Sequence, residues 1–354
     1  MKYEMGFSLI ELLVGMVIGL LGLMVIVQVS TGHESQRRIA THGIDSLLNG
    51  QLAINDLQRK IRASGYGLTA HANAIGCDIR MKYASGSVMS FNLAPVVISN
   101  GASGAPDRIR ILASVSDSWA IPTRIVANHP PTAANFFVDS DIGIKDQDLL
   151  LAVPQLPDAN NWCTVVQSTK TASSSGAGSG AGQNQVLHNP SSNWNPPGGA
   201  NIMPTGGYKM GDYLINLGRL ENISYSISNN TLLASALDTN DGATKATPMY
   251  ADIVNLQAQY GLDNGASGGT ANDGKVDEFT ETSPSSAATW RQLLAVRIAL
   301  LSRSPQWEKT EITTAAPSWQ GGEFTMSNVG DDWRHYRYKV FQTTIPLRNM
   351  LWQQ

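Results

Sequence analysis

Gly6-Phe7-Ser8-Leu9-Ile10-Glu11-Leu12-Leu13-Val14 opens an apolar run that continues to Val29, and within that run only Ser8, Glu11 and Gln28 carry polar side chains. A helix over residues 7–29 spans roughly 35 Å, enough to cross a hydrocarbon core of about 30 Å. A secretory signal peptide would have a basic leader, an apolar core of about 7–15 residues and a small-x-small cleavage site. The leader here, Met1-Lys2-Tyr3-Glu4-Met5-Gly6, carries one base and one acid, and no Ala-x-Ala-like site follows before Gln28. A plain signal anchor fits the length but leaves Glu11 unexplained. An acid in hydrocarbon costs at least a few kcal/mol and usually faces a partner charge or a functional path. A cut between Gly6 and Phe7 would create a cationic amine on Phe7, four residues from Glu11. In a bundle of such helices, Glu11 of one subunit would pair with the amine of the next, so that each charge is buried only when matched.

The same residues resemble the class III signal of type IV prepilins and type II secretion pseudopilins: glycine before the cut, phenylalanine after it, glutamate four residues on, then an unbroken apolar helix. The resemblance implies cleavage after Gly6 by prepilin peptidase, N-methylation of Phe7, and a role for Glu11 in docking into a filament. Gly15 and Gly19 form a G-x-x-x-G pair with Gly22 one turn later, a spacing that lets membrane helices approach closely and that is also common in membrane helices generally.

The chain has 354 residues and a formal net charge of −3, too balanced to make nucleic acid or anionic lipid the main partner. The part behind the anchor is large enough for one big core or two lobes. A charged fraction of 15% with abundant glycine, serine, threonine and asparagine suits an exported β-rich domain with long loops. In such a compartment the two cysteines, Cys77 and Cys163, read as one disulfide.

Residues 30–64 read as an amphipathic continuation of the first helix. Leu47, Ile54 and Ile61 recur every seven residues, Leu48, Leu52 and Leu57 widen the stripe, and Ser64-Gly65-Tyr66-Gly67 ends it. The expected organisation is a leader at 1–6, a transmembrane or filament-core helix at 7–29, the amphipathic half at 30–64 and a globular domain at 65–354. A flexible segment falls at 171–200, where Thr171 to Gly182 holds only Thr, Ala, Ser and Gly. After residue 65 the signals are strands: Asp107 to Ser114, Gln147 to Val153, and Ile223, Tyr225 and Ile227 before an Asn229-Asn230 turn. Three further runs, 254–262, 294–300 and 336–340, read as antiparallel strands with one face on the core. The fold class is therefore α+β, a long N-terminal helix packed on an antiparallel sheet.

Catalytic motifs are weak. Gly265-Ala266-Ser267-Gly268-Gly269 matches G-x-S-x-G without a following helix signal, and the G-x-x-x-x-G-K of Gly269 to Lys275 lacks the Ser/Thr that would hold magnesium. The six histidines are scattered, so an enzyme is the class least supported. No cofactor is required. Asp263, Asp273 and Asp277 lie in an Asp/Asn/Gly-rich loop and supply the hard oxygens that calcium prefers, although the same residue types are ordinary turn formers. Trp194, in a Pro/Asn/Gly loop, is a candidate exposed contact for a neighbouring subunit or a surface, although a place in the core is the reading that fits most of the eight tryptophans.

Leu57-Gln58-Arg59-Lys60-Ile61-Arg62-Ala63-Ser64-Gly65-Tyr66-Gly67, Tyr260-Gly261-Leu262-Asp263, Ala295 to Arg303 after Trp290, and Leu347-Arg348-Asn349 together are similar to PilW-type minor pilins of type IV pilus assembly. That resemblance implies a minor pilin that assembles with other minor and major pilins, primes pilus growth and sits at or near the tip. It implies prepilin peptidase and the inner-membrane assembly machinery as partners, membrane lipid around the precursor, a periplasmic globular domain before assembly, and an extracellular pilus afterwards. A minor pseudopilin of type II secretion, and a tip adhesin or DNA-uptake subunit, are the alternatives.

Overall fold

The computed structural model describes residues 9–68, 71, 74–115, 122–169, 184–199 and 201–351, with the backbone alone described at 31–43 and 351. The leader, Phe7, Ser8, residues 171–183 and 200, Trp119 and Trp352 lie outside these residues; the rest of the segment expected to be flexible, 184–199, is described and holds a strand at Asn184–Leu187. One helix, α1 (Leu9–Ala63), runs unbroken for 55 residues, about 80 Å, because no proline interrupts it. Its first part, Leu9–Ser30, is an apolar span with none of its residues buried within the chain.

The lower half of α1 buries one narrow stripe: Ser46, Ala53, Ile54, Leu57 and Ile61. Gly50 completes it by letting the Phe341 ring lie directly on the helix backbone, where an added Cβ would fall 2.1 Å from Cε2. Ser46 Oγ and Ser302 Oγ are 2.7 Å apart, and Ser302 Oγ also donates to the Ser46 carbonyl at 3.0 Å. The stripe is narrower than the heptad spacing suggests: Leu47, Leu48 and Leu52 are 44%, 55% and 46% exposed. At 100° per residue, Leu48 and Leu52 point to the flank away from the line through 46, 50, 53 and 57 that the sheet covers.

The strands, in chain order, are β1 (Asp78–Met81), β2 (Met89–Asn92), β3 (Val96–Ser99), β4 (Arg108–Val115), β5 (Thr123–Arg124), β6 (Asn135–Val138), β7 (Leu149–Val153), β8 (Cys163–Gln167) and β9 (Asn184–Leu187). They continue as β10 (Tyr213–Ser228), β11 (Thr231–Leu237), β12 (Thr244–Ala251), β13 (Ile253–Leu262), β14 (Glu278–Thr280), β15 (Leu293–Arg303), β16 (Ser318–Trp319), β17 (Gly322–Glu323) and β18 (Tyr338–Pro346). Short helices α2 (Ala287–Arg291) and α3 (Arg348–Leu351) flank β15 and β18. A four-stranded antiparallel sheet, β14-β13-β15-β18, carries α1 on one face. The larger sheet runs β12-β11-β10-β7-β8-β1-β2, with β3, β4 and β5 off that path.

β10 is the spine of the larger sheet. Its first residues pair with β7 and β5, its last with β11 and β4, and a bulge at Gly218/Arg219 marks the changeover. The β10–β11 hairpin turns on Asn229 (φ +49°) and Asn230 (φ +55°), both left-handed, as a tight hairpin turn requires. Cys77 and Cys163 form a disulfide across 86 residues beside the parallel pair of β1 and β8. In the chain-entropy model a loop of that length is worth roughly 4–5 kcal/mol.

Two further expectations change. β13 and β15 are buried on both faces rather than one, because Trp319, Phe324 and Met326 cover Val254, Ala299 and Leu301 on the side away from α1. Trp194 is buried, not an exposed contact; its indole N–H donates to the Thr239 carbonyl at 2.8 Å.

The helix stripe separates packed from unpacked leucines. Leu57→Ala in the full chain in detergent lowers unfolding free energy by about 2–5 kcal/mol, whereas Leu48→Ala shifts it by under about 1 kcal/mol. Equal losses in denaturant titrations would refute the packing described.

Candidate functional site

Glu11 lies in the first turn of α1 and is the one acid in the exposed span Leu9–Ser30. Gly15, Gly19 and Gly22 lie in the same span, and a Cβ built on any of them meets nothing within 4 Å. The chain's own packing therefore gives no reason for these glycines; close approach of a second helix would.

At the other end of α1 the two sequence segments singled out at 57–67 and 347–349 meet. The helix stops at Ala63, where Ser64 Oγ donates to the Ile61 carbonyl at 2.7 Å and Gly65 turns left-handed with φ +75°. Asn349 on α3 then donates to the Ser64 carbonyl at 2.7 Å and the Ala63 carbonyl at 3.3 Å. These are carbonyls that a helix end otherwise leaves without partners.

The structure also brings Asp263, Asp273 and Asp277 together, with carboxylate oxygens within 4.8 Å of one another. Asp263, at the end of β13, is fully buried and accepts backbone N–H groups from Asn272 at 2.6 Å, Asp273 at 3.3 Å and Gly274 at 2.7 Å. Asp277 accepts the Gly265 N–H at 2.6 Å, and Asp273 accepts the Lys275 N–H at 3.0 Å. Asp263 thus folds the loop around itself, the work expected of turn-forming aspartates. Among the described residues, these three form a group that could hold a hard cation. The G-x-S-x-G serine, Ser267, lies in a short turn at Ala266–Gly268 rather than between a strand and a helix, and β14 follows the G-x-x-x-x-G-K stretch. Neither motif therefore has the geometry its chemistry requires.

The structure also holds a buried histidine pair. His129 Nε2 and His188 Nε2 are 2.8 Å apart and buried, with His129 stacked on Phe136 at 3.9 Å between ring centroids. Fifty-nine positions of chain separate them, so no sequence spacing signals the pair. Burial lowers His129 to about 4, and burial followed by the neighbouring imidazole lowers His188 to about 3.

The unfolded chain takes up these two protons near its ordinary value of 6.5, while the folded chain refuses them. The pair's stability is therefore complete above about pH 6.5 and is lost as pH falls toward 4. Buried Asp107 runs the other way: burial raises it to about 6, so its contribution is greatest in acid and is lost as pH rises through that value. The measurement is accordingly a difference. The wild type is expected to lose unfolding free energy between about pH 7 and pH 4.5, and His129→Gln/His188→Gln flattens that drop. Parallel pH profiles would refute the assignment.

Residues 221–349, just over a third of the chain, match the family model described as Type IV Pilus-assembly protein W, PilW. They include the end of β10, the whole four-stranded sheet and the Asn349 clamp. No curated protein matches the chain. Among solved structures it is similar to a type IV-like pilin from Thermus thermophilus at 15% identity and a TM-score of 0.26, covering 38% of this chain and 70% of that one. From the end of β10 to the helix clamp, the chain has the sequence pattern of the PilW family of type IV pilus-assembly proteins.

Proposed function

We propose that this chain is a minor pilin of a type IV pilus. The observation that carries the reading is a single helix with two environments. Its first part is an apolar span, Leu9–Ser30, with no residue buried, and its second part is built into the sheet of the domain matched as PilW. Such a span needs lipid before assembly and other helices after it. A peptidase cuts between Gly6 and Phe7, the new amine of Phe7 is methylated, and Glu11 pairs with the Phe7 amine of a neighbouring subunit. The domain at 65–354 is periplasmic in the precursor and then extracellular. Its bulk suits a subunit that primes assembly with other pilins and ends at or near the tip, rather than one repeated along the shaft. A type II secretion pseudopilin would share the helix; the match at 221–349 to a pilus-assembly model favours the pilus. The role is structural, with no chemistry assigned to any side chain.

Deleting the gene and counting surface pili by electron microscopy tests the reading. Pili are lost, wild type restores them, and Glu11→Ala does not. Normal piliation of the deletion strain would end the proposal.

Calcium at Asp263, Asp273 and Asp277 forms a separable part of it. Calorimetric titration of the full chain in detergent with Ca2+ gives a saturable heat that Asp273→Asn/Asp277→Asn removes. The absence of heat in wild type would retire the metal.

A further inference from the structure

The end of α1 carries a basic groove for which pilus assembly through the apolar span leaves no use. Arg59, Arg62 and Arg348 line it, Asn55, Gln58 and Tyr66 add amide and phenol walls, and its volume is about 570 Å3. Residues 55, 58, 59 and 62 share one helix face by their spacing. Arg348 joins them because the Asn349 clamp holds α3 against the helix end.

The charges do not balance. Arg59 is paired with Asp56 at 2.7 Å. Among the described residues, no carboxylate lies within ion-pair distance of Arg62 or Arg348. The Arg62 Nε is buried and has no hydrogen-bond acceptor. Arg110 and Arg297 also have a buried Nε without an acceptor, but their guanidinium groups stack on Phe91 at 4.8 Å and Phe279 at 3.6 Å. Among the described residues no ring plays that part for Arg62. A buried donor without an acceptor is costly, more so when it belongs to a charged group. A planar guanidinium fork fits a carboxylate or a phosphate.

We propose that this groove receives carboxylate side chains of a neighbouring subunit, laid across Arg62 and Arg348. The identity of the occupant rests on the pilus reading; the anion chemistry does not. Lipid phosphate is disfavoured by distance. From Ser30, the end of the apolar span, to Arg59 the helix rises roughly 45 Å, far beyond the headgroups of a bilayer that the span crosses.

The probe is a hexaglutamate peptide titrated onto the full chain in detergent micelles. Binding is saturable, falls at least about tenfold in Arg62→Gln and in Arg348→Gln, is lost in about 0.5 M salt, and is unchanged in Lys82→Gln outside the groove. The proposal is overturned by any of four results: no saturable binding; binding indifferent to both arginines; arginine-dependent binding to phosphatidylglycerol vesicles in preference to the peptide; or binding that appears only once residues 352–354 are removed, which would make the chain's own tail the occupant. In cells, Arg62→Glu/Arg348→Glu that folds, by circular dichroism, fails to restore pili to the deletion strain. Full restoration by that variant defeats the groove and leaves the pilus reading standing. Normal piliation of the deletion strain defeats the pilus reading and leaves the peptide titration to decide the groove.

Discussion

The seat of the helix on the four-stranded sheet is the contact on which the rest of the structure depends. Ile54, Leu57 and Ile61 are removed from water against β13, β15 and β18, and each such side chain is worth about 1.5–3 kcal/mol. Ser46 and Ser302 place a buried hydroxyl pair at the upper edge of the seat, and Asn349 closes the lower edge. Between them Gly50 brings the helix backbone into contact with the Phe341 ring. The apolar span above, Leu9–Ser30, has none of its residues buried against the domain.

The second sheet is joined to the first through shared core rather than through a linker. Ile109 and Ile111 on β4, with Tyr225 on β10, belong to the same apolar cluster as the helix stripe and the four-stranded sheet. Asp107 adds a polar tie, accepting the N–H of Ala258 on β13 at 2.8 Å. The disulfide lies at the far side of the larger sheet, where β1 and β8 pair in parallel over two residues. A covalent bond there secures a pairing that so short a ladder would hold weakly.

The elements legible in the sequence were those whose signal is local. The continuous apolar run, the Gly65 stop and the Asn229-Asn230 turn each follow from side-chain polarity or backbone freedom within a few residues. So did the strands at 108–115 and 149–153, and Cys77 with Cys163 was the one pairing available. The grouping of the three aspartates was also legible, because a hairpin loop brings its ends together. What escaped was set by distant partners. Leu48 and Leu52 look like core on a helical wheel, yet the sheet covers only the other flank. Trp194 looks like a surface residue in its loop, yet its indole is covered and bonded to Thr239. The His129–His188 pair and the basic groove are made by chain segments far apart in sequence, so no local pattern announces either.

The unbroken helix also has a mechanical consequence. Whatever fixes the apolar span fixes one end of a rod, and any pull on the globular domain reaches that rod as shear along its seat. Sliding the helix along its axis would drive the residues next to Gly50 into the Phe341 ring, since only a position without a Cβ clears it. A notch of one residue therefore acts as a detent. It resists axial displacement through steric overlap, a resistance that grows steeply within a fraction of an ångström and that apolar contact area alone would not supply.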